Sequence, residues 1–91
     1  MNKQRRKDLG RAIQGLEAAK TSLKVAQEII GGAADEEQDA YDCMPESMQE
    51  SDRGIDMEEN AETLSDASSE LEDMIDTLYE QIDAIQEVID K

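Results

Sequence analysis

The sequence predicts an all-α protein: an antiparallel, coiled-coil-like helical hairpin that dimerises into a four-helix bundle. Three observations predict it. Apolar residues recur at seven-residue spacing in both halves of the 91-residue chain. The one proline, Pro45, lies near the midpoint. The segments on either side have similar lengths, and a short connection between equal helices folds them back on each other. Residues 1–91 then make a single domain, in line with the length.

The first helix is expected over residues 3–43. Leu9, Leu16, Leu23 and Ile30 recur every seven residues. Ala12, Ala19, Ala26, Ala33 and Ala40 form a second series three places on. Together they describe a large/small seam of heptad type, which Ile13, Val25 and Ile29 widen. Gly31-Gly32 lowers helix propensity by about 1 kcal/mol per glycine. The alanine series continues across it, so a weakened or bent helix is expected rather than a stop.

The connection is expected over 44–53. A residue before proline is pushed out of the α region. Pro45 can itself open a short turn at N1, and Ser51 or Asp52 can cap the following helix. That second helix is expected over 54–90. Met57, Ala61, Leu64, Ser68, Leu71, Ile75, Leu78, Ile82, Ile85 and Ile89 alternate in steps of four and three. Residues 61, 68, 75, 82 and 89 take position a; Met57, Leu64, Leu71, Leu78 and Ile85 take position d. A turn centred near 48–49 makes neighbours of residues whose numbers sum to about 97, in an antiparallel pair. Leu9 then faces Val88, Leu16 faces Ile82, Leu23 faces Met74, and Gly31-Gly32 faces Ser65, Ser68 and Ser69. Lys7 and Arg11 lie near Asp90 and Glu87, and Lys24 near Asp73.

Composition excludes several functions. There is no His, so imidazole acid–base catalysis and His-ligated metals are absent. Cys43 is alone, which leaves no disulfide framework; it is expected as a small, semi-buried filler. No apolar run reaches membrane-spanning length. MNKQRRK leads into no apolar signal core, so a cytoplasmic location is expected. Asp and Glu number 24 against 9 Lys and Arg, for a net charge of −15. Such a field repels phosphate, so direct nucleic-acid binding is disfavoured. Charge also divides along the chain. Residues 1–30 carry seven basic and three acidic groups, whereas residues 31–91 carry 21 acidic groups against Arg53 and Lys91. Large apolar residues are few, and a small core gains from self-association. The expected dimer core is Leu71, Ile75, Leu78, Ile82, Ile85 and Ile89, with Met74, Tyr79 and Val88 flanking it.

The second helix carries the most informative pattern. Glu59, Asp66, Asp73, Glu80 and Glu87 fill every f position, and Glu62, Asp76, Asp83 and Asp90 fill four of the five b positions. No basic residue interrupts this outer stripe. Two carboxylates per heptad give one per roughly 5 Å of helix axis, against one phosphate per about 3.4 Å along a B-DNA strand. The stripe reads either as a solvated face or as a surface for a basic protein groove. In the second case Glu59, Glu62, Asp66, Asp73, Asp76, Glu80 and Asp83 carry the contacts.

Other clusters point nowhere specific. From Asp35, an EF-hand loop would need Gly at the sixth place and has Ala40 there, although Glu46 stands at the twelfth. Arg5, Arg6, Lys7 and Arg11 could form an anion site, but pairing with the acidic second helix is the simpler use. Tyr41 and Tyr79 suit packing better than catalysis. No nucleophile–base pair or metal set is visible, so neither an enzyme nor a cofactor is expected.

The stretches MNKQRRKDLGRAI and DEEQDAYDCMPESMQESDRG, with the acidic heptad tail, resemble small helical proteins encoded by phages and mobile elements of Gram-positive bacteria. The resemblance covers nearly the whole chain and brings no catalytic residues with it. It implies a bacterial host cytoplasm and an anti-defence role, of anti-CRISPR or related type, against a basic nucleic-acid-binding host protein. The competing expectation is a coiled-coil oligomerisation module whose acidic face only keeps it in solution.

Overall fold

Asn2 opens the first helix. Its side-chain oxygen accepts from the Arg5 amide at 2.8 Å, satisfying one of the donors a helix start leaves free. In the computed structural model, which describes Met1–Lys91, helix α1 runs Lys3–Asp42 and helix α3 runs Asp52–Asp90, with a one-turn helix α2, Glu46–Gln49, between them. The chain is 91% helical and has no strand. α1 and α3 pack side by side as a long hairpin measuring 68 × 15 × 15 Å.

α1 passes through Gly31-Gly32 unbroken. It stops where Pro45 forbids continuation. Pro45 is the N-cap of α2 rather than its first helical residue, and its carbonyl accepts from Met48 and Gln49 at 2.8 and 3.1 Å. Ser51 then caps α3. Its hydroxyl accepts from the Gly54 amide at 3.3 Å and donates to the Met48 carbonyl.

The seam on α3 follows the heptad. Gly54, Ala61, Ser68, Ile75 and Ile82 are buried, and all stand at position a. Met57, Leu64, Leu71, Leu78 and Ile85, at position d, are half-buried. On α1 the Leu series does face α3, but the alanine series partners it only in part, with Ala26 and Ala33 half-buried. Ala12, Ala19 and Ala40 are exposed. The second line of the seam lies four places on from the leucines: Ile13, Lys20, Gln27, Ala34 and Tyr41, of which Lys20 and Ala34 are buried. Both lines flank the leucines equally on a helix with a seven-residue repeat. Ile13 and Tyr41 bury more apolar surface than alanines can, so that side wins.

The register also differs from the expectation by two. Lys20 meets Tyr79, Gly31 meets Ser68 and Tyr41 meets Glu58, three pairs whose numbers sum to 99. Gly31 facing Ser68 is as expected. The basic N-terminus, however, moves outward: Asp8 is level with Lys91, and residues up to Lys7 overhang the end of α3. Lys7 and Arg11 make no ion pair with Asp90 or Glu87: Lys7 lies past the end of α3, whereas Arg11 stays level with Val88 and remains unpaired. The one salt bridge is local, Lys20 to Glu17 at 2.8 Å.

Gly54 is the most tightly packed of the five glycines. A Cβ there would meet the Met48 carbonyl oxygen at 2.6 Å and run into the backbone of Gln49. Gly10 is the opposite case, with nothing within 4 Å of the same added atom. Gly54→Ala should lower stability by about 1–3 kcal/mol through overpacking. Gly10→Ala should raise it by up to about 1 kcal/mol through helix propensity. Urea unfolding followed by circular dichroism checks both; equal effects of one sign would contradict this turn packing.

Candidate functional site

Two surfaces stand out, a polar layer inside the seam and the carboxylate face outside it. The polar layer sits at mid-length. The Lys20 ammonium lies 3.8 Å from the centre of the Tyr79 ring, close enough for a cation–π contact. Lys24, expected beside Asp73, instead donates to the Tyr79 hydroxyl at 2.7 Å. One turn further, the Gln27 side-chain amide donates to the Ser68 hydroxyl at 3.1 Å, and that hydroxyl donates to the Gln27 carbonyl at 3.4 Å. No buried side-chain polar atom is left without a partner. Sequence reasoning missed this layer, because Lys20 and Gln27 fall on neither the leucine nor the alanine series. The available signal was their seven-residue spacing, in line with Ile13, Ala34 and Tyr41.

Beside the layer, Leu23, Asp73, Met74, Thr77 and Leu78 line a shallow groove of about 440 Å³. A smaller one of about 290 Å³ lies toward the tip, beside Glu37, Asn60, Thr63 and Leu64. Neither holds a group of carboxylates that could bind a metal ion.

The outer stripe of α3 is as exposed as its pattern implies. Glu59, Glu62, Asp66, Asp73, Asp76, Glu80 and Asp83 all face solvent, and no cation pairs with any of them. Neighbours on such a stripe lie about 6 Å apart, where two charges in water repel by roughly 0.7 kcal/mol. The hairpin does not spread this charge evenly. In the half nearer the termini, residues 1–24 and 75–91 carry eight basic and seven acidic groups. In the half nearer the tip, residues 25–74 carry 17 acidic groups and only Arg53 as a cation. One half is thus close to neutral at +1, and the other stands at −16. Glu59, Glu62, Asp66 and Asp73 belong to the charged half. Asp76, Glu80 and Asp83 lie beside the basic part of α1.

The residues expected as a dimer core point inward. Ile75 and Ile82 are buried within the hairpin itself, and Leu71, Leu78, Ile85 and Ile89 are half-buried. Met74, Tyr79 and Val88 remain 52%, 41% and 39% exposed. Cys43 is exposed rather than semi-buried. No helix is long and apolar enough to cross a membrane. The chain has no significant match among protein-family models, curated proteins or solved structures.

The two tyrosines sit in opposite electrostatic settings. The hydrogen bond from Lys24 and the Lys20 charge hold the Tyr79 phenol below its ordinary range. The neighbouring Glu58 carboxylate pushes the Tyr41 phenol up, and burial adds to this. Lys20 is raised, mainly by its bond to Glu17. A depressed acid stabilises the fold above its unfolded pKa, and this is lost as pH falls through the folded value. Tyr79 behaves so. Lys20 and Tyr41, both raised, stabilise the fold below their unfolded values and lose that contribution as pH rises through the folded ones. Phenolate absorbance should therefore titrate in two steps. Tyr79→Phe should remove the lower step and Tyr41→Phe the upper. One merged step in the parent protein would contradict these environments.

Proposed function

We propose that this chain is an acidic helical binding protein that occupies the basic groove of a nucleic-acid-binding protein, acting there as a nucleic-acid mimic. The observation that carries the proposal is the segregation of charge. A long, thin rod whose tip half holds −16 and almost no cation presents what a phosphate-binding groove attracts. Glu59, Glu62, Asp66 and Asp73 are the principal contacts. Asp76, Glu80 and Asp83 extend the stripe into the balanced half and contribute less. The phage resemblance of MNKQRRKDLGRAI and DEEQDAYDCMPESMQESDRG suggests the setting: an anti-defence protein in a bacterial cytoplasm, directed at a host nuclease or defence complex.

The alternative is an oligomerisation module whose stripe is only a solvated face. It draws support from the apolar surface the hairpin leaves open, above all Val25 and Ile29, exposed by 54% and 67%.

Charge reversal separates the two. The stripe is repulsive within the fold, so changing Glu59, Glu62, Asp66 and Asp73 to Lys should leave thermal stability unchanged or slightly higher. The same variant should lose its partner in a pull-down from bacterial lysate at low salt, because the attraction to a basic groove changes sign. Reversing Asp76, Glu80 and Asp83 should weaken capture less. A folded tip-half variant that still captures the parent protein's partner would rule out the mimic.

A further inference from the structure

The outer face of α1, turned away from α3, carries a second seven-residue seam. Gly15, Ala18, Ser22, Val25, Ile29 and Gly32 follow one another in steps of three and four, and all are exposed. No charge falls on this line between Arg11, which precedes it, and Glu36, which follows. In a chain with 36% charged residues, an uncharged helix face about 26 Å long from Gly15 to Gly32, by helical rise, calls for a partner. Val25 and Ile29 are among the most exposed large apolar side chains in the molecule. Gly15 and Gly32 are equally unexplained within one chain. A Cβ at either would meet nothing within 4 Å, so each glycine costs helix propensity without serving any contact in the hairpin.

We infer that this face binds a second copy of the same chain, with the two α1 helices antiparallel about a two-fold axis between Ser22 and Val25. The line is self-complementary in that arrangement. Arg11 faces the partner's Glu36, Gly15 faces the partner's Gly32, Ala18 faces the partner's Ile29, and Ser22 faces the partner's Val25. Each large side chain meets a small one, as interdigitated packing requires. The glycines let the two backbones approach. The two-fold repeats every pair, so two Arg–Glu pairs close the ends.

Charge selects the antiparallel sense. A parallel pair would place tip beside tip, −16 against −16. The antiparallel pair sets each acidic tip half beside the near-neutral half of the other chain. Four helices then lie roughly in one layer, in the order α3, α1, α1 of the partner, α3 of the partner. Both carboxylate stripes stay outward, so the inference does not depend on what they bind. It also moves the dimer contact from the α3 seam, which α1 already covers, to the free side of α1.

Sedimentation equilibrium of the full chain over a wide concentration range tests this, with circular dichroism to follow helicity. The parent should be a dimer that dissociates on dilution. Val25→Glu with Ile29→Glu should be a helical monomer at every concentration. Arg11→Glu alone should weaken association on the order of tenfold, and Arg11→Glu with Glu36→Arg should restore it. A parent that is monomeric throughout would overturn the inference, as would a Val25→Glu/Ile29→Glu variant that remains dimeric. An Arg11→Glu variant that associates like the parent would overturn the antiparallel alignment.

Discussion

The alignment of α1 against α3 is held at mid-length by the contacts of Lys20 and Lys24 with Tyr79 and of Gln27 with Ser68. An apolar heptad seam does not fix its own register well. Sliding one helix by seven residues returns leucines and isoleucines to equivalent places. Such a slip here would carry Gln27 away from Ser68 and leave both partly buried groups without partners, at a cost of about 1–3 kcal/mol for each group. Polar residues at seam positions specify register in coiled coils in this way. Gly54 acts at the other end. Because the start of α3 presses on the backbone of α2, the connection has little freedom to lengthen or shorten.

The antiparallel pairing in turn fixes the electrostatics. The sequence places basic residues early and acidic residues late, which could have produced either a neutralised rod or a divided one. The antiparallel hairpin puts Arg11, Lys20 and Lys24 beside the last part of α3, with the four earlier cations just past its end, and residues 25–74 have Arg53 as their only cation. Individual ion pairs contribute little, since Lys20–Glu17 is the one that forms. What matters is the field of each half, which acts over roughly a Debye length, about 8 Å in physiological salt. The same partition underlies both the proposed groove binding and the proposed sense of self-association.

Much of the fold was legible in the sequence for identifiable reasons. Position a of the second heptad is where burial falls, from Gly54 to Ile82. Pro45 marks the break and Ser51 the cap. The first helix was harder to read, because a leucine series has two equivalent flanks and composition favoured the alanine side. Tyr41 and Ile13 outweighed it through size, and Lys20 through its contact with Tyr79. The candidate surface was half legible. The unbroken run of carboxylates is a sequence pattern, and their exposure follows from it. Which of them escape neutralisation depends on the antiparallel fold, which sets the cations of residues 1–24 beside residues 75–91, and no local pattern encodes that.

The rod shape has a mechanical consequence. A globular chain of this length has a radius of gyration near 12 Å, whereas this one measures 20.1 Å. No large side chain is completely buried, and nearly every long-range contact joins α1 to the stretch of α3 lying directly across from it. Both chain ends lie at the same end of the rod. Tension applied through them would part the helices pair by pair, as a zipper opens, and would reach the Lys20–Tyr79 layer before the turn. A tether at the same ends would hold the molecule upright, with its most negative part projecting furthest from the anchor.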